Sequence, residues 1–308
     1  MRFSDAGSQS LPDRPDILLV GIGRMGRHHL SALTRRKTWN VAGIVDSHVK
    51  LNDIPDLTKH GSDLPAMLAE VHPFAAIVAV PPGAHDEVAR TCLGAGCHVL
   101  LEKPICPSFE QANRLARDFR QAGLVLFGGH SERFHSVYSA LLEALPRLGQ
   151  VCRIEALRQG PCPPRVEPGG VVFDLAVHDL DLIARLVPEN VRVASAVVDR
   201  REDPSLGSCR AELEWSTGAA TVEAAWRPLR RRTLRVVGTQ GVLDADFLAP
   251  SLTLSDAKGV WRQKLAWRDP LETEHAAFRA ACDGTFDAVA DLAPQIEALR
   301  LAERILQA

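Results

Sequence analysis

Residues 17–26 read Ile17-Leu18-Leu19-Val20-Gly21-Ile22-Gly23-Arg24-Met25-Gly26, four apolar residues running straight into a Gly-x-Gly-x-x-Gly loop. The apolar run has strand length, and Met25–Thr34 after it carries a helical pattern. Gly21 permits a tight turn, Gly23 lets backbone approach a pyrophosphate, and Gly26 lets the helix pack close to the strand. Ile22, Arg24 and Met25 complete the loop, whose free N–H groups at a helix start favour phosphate. Asp46 ends the next apolar run, 20 residues beyond Gly26. A carboxylate there can hold both ribose hydroxyls and repel a 2′-phosphate, so NAD is expected rather than NADP. Ser47, His48 and Lys50 follow, and a cation there can accommodate that phosphate, which leaves NADP as the lesser alternative. The same glycine spacing also occurs as a plain turn in other α/β folds. The strand before it, the helix after it and the acid beyond it are what set this one apart.

Outward from the loop, Val41–Val45, Ala75–Val80, His98–Leu101 and Leu124–Phe127 repeat the short apolar run that suits a strand buried on both faces. Helical segments separate them, among them His85–Ala95 and Phe109–Ala122, the latter opened by Ser108 with Gln111 and closed by Gly123. After about Val151 the texture becomes one of strands joined by short turns: Val151–Arg158, Val191–Val198, Arg210–Trp215, Ala219–Ala225, Leu234–Val237 and Val242–Phe247. Helices are expected over Val171–Leu186 and Pro294–Leu306. The expected fold is therefore α/β, an N-terminal Rossmann doubly wound parallel sheet followed by an α+β domain with a largely antiparallel sheet. Residues 1–15 read as a loose tail, 16–128 as the dinucleotide-binding domain, and 129–308 as a substrate-binding and oligomerisation domain whose last helix packs back on the first.

The chain has 308 residues with 36 Lys+Arg against 38 Asp+Glu, a formal charge of −2. That balance offers no basic field for nucleic acid or an anionic membrane. No apolar run approaches the ~20 residues of a bilayer crossing, and the polar first ten residues lack a secretory signal. Seven cysteines, an odd number without a Cys-x-x-Cys pair, read as free thiols of a reducing cytoplasm. Cys106 reads as a packed residue, and His28 and His29 as helix-face residues.

Three further stretches resemble the glucose–fructose oxidoreductase, inositol dehydrogenase and rhizopine-catabolism family. They are Val80-Pro81-Pro82-Gly83-Ala84-His85, the run Ala95–Pro104 ending in Glu102-Lys103-Pro104, and Gly169–Asp181 with its Asp174-x-x-x-His178 element. The resemblance implies that Lys103 lies beside the nicotinamide and the substrate hydroxyl. It implies that Asp174 binds substrate and that His178 transfers the proton. It also implies that Val80, Pro81, Pro82, His85, Glu102 and Lys103 border the cofactor. The residues themselves agree with the catalytic set: on a helix over Phe173–Leu186, Asp174 and His178 stand at i and i+4, and an imidazole titrates in the range an alcohol's general base needs. A metal site from Asp174, His178, Asp179 and Asp181 has a single histidine, and no metal is expected.

The substrate is implied less narrowly. Gly129-His130-Ser131-Glu132-Arg133-Phe134 resembles a segment of sugar-nucleotide 3-dehydrogenases acting on UDP-N-acetylglucosamine or its uronate, although His135 and Ser136 stand where that segment has Asn-Pro. That resemblance implies a 3-keto sugar nucleotide passed to an aminotransferase, as in lipid A or surface-polysaccharide synthesis. A diphosphate needs cations, and Arg133, Arg158 and Arg165 are the expected substrate contacts, with Arg227 and Arg230–Arg232 as further candidates. The alternative is a dehydrogenase or reductase of a free sugar or cyclitol. Trp215 and Trp226 suit either a core or an oligomer face, and a homo-oligomer is expected.

Overall fold

The computed structural model describes residues 14–47, 59–164, 166, 168–199 and 207–308. The expected tail, His48, Lys50 and Arg165 fall outside them, apart from Arg14 and Pro15 of the tail.

The first sheet holds β1 (Asp16–Val20), β2 (Asn40–Val45), β3 (Lys59–Gly61), β4 (Ala75–Val78), β5 (His98–Glu102) and β6 (Leu126–Gly129). Its order is β3-β2-β1-β4-β5-β6, and every neighbouring pair is parallel. Strand order reverses between β1 and β4, and ligands of such sheets bind in the crevice at the carboxyl ends beside that reversal. Ile17–Leu19 and Ala75–Val78 are wholly buried, as strands covered on both faces must be. Helices α1 (Arg24–Arg36), α2 (Leu64–Val71), α3 (His85–Gly94) and α4 (Phe109–Gln121) provide that cover. Ser108 caps α4 by accepting from the Gln111 N–H.

After α5 (Ser136–Ala144) comes the second sheet, of order β14-β13-β12-β11-β7-β10-β9-β8. Its strands are β7 (Val151–Gly160), β8 (Arg192–Asp199), β9 (Ser208–Trp215), β10 (Gly218–Trp226), β11 (Arg231–Gly238), β12 (Gly241–Asp246), β13 (Ser251–Asp256) and β14 (Gly259–Lys264). Only β7 and β10 pair in parallel. In β9, Cys209, Ala211, Leu213 and Trp215 are buried while Arg210 and Glu214 are exposed, so one face turns to the helices and the other to solvent. Trp215 and Trp226 both belong to the helix-covered core, which removes them from the oligomer face.

The expected helix over 171–186 divides. A π-helical turn spans Val172–Ala176, and α6 (Val177–Leu186) continues it as regular α-helix. Two helices close the chain. α7 (Pro270–Cys282) puts Phe278 and Ala281 into the core behind the first sheet. α8 (Ala288–Gln307) gives Leu292, Ile296 and Leu299 to the first domain's core, and Ala298, Leu301, Ala302 and Ile305 to the second's. Among the described residues no helix is long and apolar enough to cross a membrane.

Candidate active site

The glycine loop sits at the carboxyl end of β1. Gly21 has φ +91°, and a Cβ there would lie 2.7 Å from the Ala79 carbonyl oxygen, so only glycine suits the turn. A Cβ on Gly26 would fall 2.0 Å from the Gly21 oxygen, which is the close contact that seats α1 against the strand. Gly23 differs: a Cβ there would meet nothing within 4 Å. It opens α1, whose first turn carries neither a capping side chain nor an acidic residue, leaving its N–H groups for an anion. Asp46 approaches the same loop, its Oδ2 accepting from the Ile22 N–H at 2.8 Å. An open cradle at Gly23, an uncapped helix start and a carboxylate at the end of β2 fit a dinucleotide.

β4 ends at Val78, two residues earlier than its apolar run suggested, and Val80, Pro81 and Pro82 form a partly exposed wall. His85 does not share that exposure. It is wholly buried, with Nδ1 2.8 Å from the Pro104 oxygen and Nε2 2.9 Å from the Val80 oxygen. This corrects the cofactor contact expected of it: both ring nitrogens are engaged, and His85 ties the Val80 wall to the Lys103-Pro104 loop. Glu102 is buried as well. Its Oε1 meets His29 Nε2 at 2.8 Å and its Oε2 accepts from the Lys103 N–H. Burial pushes the Glu102 carboxyl up, but the hydrogen bond and charge of His29, with the charge of Lys103, outweigh it and hold it below its ordinary value. His29 Nδ1 in turn meets His275 Nε2 of α7 at 2.8 Å. Glu102 is therefore a brace behind the site, and His29 belongs to a buried chain rather than to a helix surface.

Lys103, just beyond β5, meets Asp174 of the π-turn, and His178 of α6 lies within electrostatic reach of Lys103. Lys103 Nζ donates to the main-chain oxygen of Asp174 at 2.8 Å and lies 3.7 Å from its Oδ1. Asp174 lies inside the π-turn, so the oxygen that Lys103 reaches belongs to an irregular turn of the helix. Asp174 Oδ2 accepts from Trp226 Nε1 at 2.9 Å. Burial lowers the Lys103 ammonium, and Asp174 and Glu102 partly restore it. His178 is held well below its ordinary value of 6.5 by burial, then by Lys103, Arg158, His130 and Arg232. Its Nδ1 is buried without a partner, so Nε2 is the nitrogen left to accept a proton. A neutral imidazole, a partly buried ammonium and a fixed carboxylate brought near one another are groups able to serve acid–base chemistry.

The expected diphosphate contacts need correction. Arg133 Nε donates to Asp181 Oδ2 at 2.6 Å, its Nη2 to Oδ1, and its Nη1 is 2.9 Å from Asp291 Oδ1. Arg158 forms a fork on Asp179 at 2.9 and 2.8 Å and lies 3.4 Å from Glu132. Both side chains are only 2% exposed. Their donors are committed to the acids of α6, because a buried guanidinium must be paired, and they pin the helix that carries His178. Arg232 donates to Glu132, whereas Arg230 and Arg231 are exposed. Cys106 is buried and its thiol is pushed up to about 12 by burial, so it is no nucleophile. All seven cysteines are thiols rather than disulfide halves. Among the described residues no group of three or more His, Cys, Asp or Glu side chains is placed to hold a metal ion.

Residues 16–130 match the model of an oxidoreductase family with an NAD-binding Rossmann fold, Gfo/Idh/MocA. The match covers the Rossmann domain of the chain. The chain is 29% identical to a UDP-N-acetylglucosamine 3-dehydrogenase of Acidithiobacillus ferrooxidans, covering 86% of this chain and 90% of that protein. A crystal structure of that dehydrogenase superposes with a TM-score of 0.84 at 26% identity over 96% of this chain and 97% of the other. A myo-inositol 2-dehydrogenase of Thermotoga maritima is 23% identical over 78% of each chain. A 3-ketoreductase of Actinomadura kijaniata, solved with TDP-benzene and NADP, shares the fold at a TM-score of 0.83, 20% identity, and coverage of 95% of this chain and 97% of that one. These likenesses together support a dehydrogenase acting on a sugar CH–OH group.

Two parts of this site were not evident from the sequence. One is the His275–His29–Glu102 chain, for which a signal existed: Gly26, His29 and Leu33 of α1 are all buried, so His29 falls on the helix's inward stripe. The other is the indole of Trp226, whose link to Asp174 crosses 52 residues of sequence and has no local signature.

Proposed function

We propose that the protein oxidises the 3-hydroxyl of a nucleotide-linked sugar such as UDP-N-acetylglucosamine to the 3-keto sugar, with NAD as the acceptor. The convergence of Lys103, Asp174 and His178 carries this reading. Gly21–Gly26 would hold the pyrophosphate, Asp46 the adenosine ribose, and Val80–Pro82 the wall beside the nicotinamide. A nicotinamide bound there would supply the acceptor for hydride from the carbinol carbon. His178 Nε2 takes the hydroxyl proton, which a neutral imidazole can do without first losing one of its own. Lys103 Nζ, close to the same hydroxyl, stabilises the developing alkoxide. Asp174 accepts from a substrate hydroxyl and orients the ring. The Asp46 carboxylate favours NAD over NADP by repelling a 2′-phosphate. A homo-oligomeric cytoplasmic enzyme passing its ketone to an aminotransferase completes the proposal.

With Arg133 and Arg158 committed to α6, contacts to a diphosphate pass to the remaining candidates, Arg165, Arg227, Arg230 and Arg231. The same observation favours a second reading, a dehydrogenase of a free sugar or cyclitol that needs no phosphate contact. The deciding assay follows NADH formation with UDP-N-acetylglucosamine, its uronate and myo-inositol, with an aminotransferase and glutamate present to draw off ketone. NADH from the UDP-sugars supports the first reading. NADH from inositol alone replaces it with the second, and silence with all three refutes both.

A further inference from the structure

Trp226 ends β10 with its ring in the core of the second domain, 3% exposed. Its position is fixed on three sides. The backbone N–H donates to the Gly207 oxygen, and the N–H of Arg227 donates to the Gly160 oxygen at the end of β7. A Cβ built on Gly170, at the head of the π-turn, would stand 3.6 Å from the indole's far edge. From this seat Nε1 donates at 2.9 Å to Oδ2 of Asp174. Asp174 meets the first domain through its other polar atoms, its main-chain oxygen accepting from Lys103 Nζ at 2.8 Å and Oδ1 lying 3.7 Å from that nitrogen.

A carboxylate turns broadly about its last side-chain bond. Left unbraced beside an ammonium, it would swing both oxygens onto Lys103 and leave neither for a ligand. The indole prevents this by engaging Oδ2, so Oδ1 stays beside Lys103 without closing a tight pair. An indole N–H suits the task because it is a donor only, carries no charge and does not titrate. We propose that Trp226 is a positioning residue for the reaction: its N–H fixes one oxygen of Asp174 so that the other, together with Lys103, is presented to a substrate hydroxyl. The proposal rests on the reading of Asp174 as the acceptor of that hydroxyl.

The test pairs Trp226→Phe with an isosteric replacement of Trp226 alone by benzothienylalanine, which keeps the bicyclic ring and lacks only the donor. Both are assayed with UDP-N-acetylglucosamine and with myo-inositol, in the wild-type and the Asp174→Ala backgrounds. A lost hydrogen bond to a charged group predicts a fall of about tenfold to a hundredfold in kcat/KM. That fall should appear chiefly as a raised KM for the sugar, with the KM for NAD unchanged. In the Asp174→Ala background the same replacements should cost less than about twofold, because the group they act through is gone. Equal losses in both backgrounds, or wild-type kinetics for the isosteric variant, overturn the proposal. Asp174→Ala at wild-type activity removes the reading underneath it, whereas a crippled Asp174→Ala beside a normal Trp226→Phe removes the positioning role alone. A crystal structure of Trp226→Phe tests the brace independently of turnover: the carboxylate of Asp174 should have rotated onto Lys103 Nζ, and an unmoved carboxylate refutes the bracing role.

Discussion

Replacing Asp181 by Leu should destabilise the protein far more than replacing Arg133 by Met and Asp181 by Leu together. Asp181 is 0% exposed and Arg133 2% exposed at the side chain, so the pair is out of water. Breaking a buried ion pair from one side costs about 3–5 kcal/mol, since the remaining charge is stranded. Arg133 would keep Asp291 at 2.9 Å, which places Asp181→Leu near the lower end, about 3 kcal/mol. For a chain of 308 residues that corresponds to a fall of about 5 °C in Tm. The double variant strands no charge, because Asp291 still has Arg185 at 2.7 Å and Gln295 at 3.1 Å. Its cost should stay within about 1–2 kcal/mol, as apolar replacements of whole buried pairs commonly do. Urea denaturation of the wild type, the single and the double variant, with kcat measured alongside, supplies the comparison. A single variant within about 1 kcal/mol of wild type, or a double variant no better than the single, would falsify the view that this pair pins α6.

Other outcomes follow from charge and space. Because His178 is held well below 6.5, kcat/KM should stay level as pH falls from 8 to about 6.5 and decline only below that; a midpoint at or above 6.5 in the pH–rate profile contradicts the neutral imidazole. Stability should fall over the same acid range. His85, His98, His130, His135, His178 and His275 are all lowered by burial, so the unfolded chain binds more protons as pH drops through 6.5. Glu102 and Glu132, held below their ordinary values, add further loss near the acid end. Glu274, raised well above its ordinary value, opposes them by favouring the folded state in acid. Calorimetry from pH 8 to 5 should show Tm decreasing, and a rising Tm refutes the sum. Gly26→Ala should unseat α1 and lower Tm, whereas Gly23→Ala should fold normally and lose NAD affinity in a fluorescence titration. A Gly23→Ala protein with wild-type affinity would remove the pyrophosphate from that loop.

Apart from its edge strand β3, the first sheet was legible because strands buried on both faces have no choice but to be apolar throughout, and the glycine loop announces its own turn. β3, β13 and β14 were not. Lys59–Gly61 and Gly259–Lys264 are exposed at every position, so neither has an apolar face to give it a period of two. The π-turn was hidden for another reason: Asp174 and His178 lie about one turn apart in either helix, and the sequence pattern is the same. Lys103 and the Asp174/His178 element could be picked out as motifs, but the site also depends on pairs distant in sequence. Arg133 meets Asp181 across 48 residues and Asp291 across 158. Read alone, such an arginine looks like a free cation awaiting phosphate, and only its burial among acids shows otherwise.

The closing helix has a mechanical consequence. α8 serves as a wall of two cores at once, with Leu292, Ile296 and Leu299 turned to one and Ala298, Leu301, Ala302 and Ile305 to the other. Neither half can melt without exposing an apolar stripe on a helix the other half still needs, so the two should unfold as one cooperative unit. α8 is thus a shared strut, and any relative movement of the two halves has to carry it along or break its packing on one side.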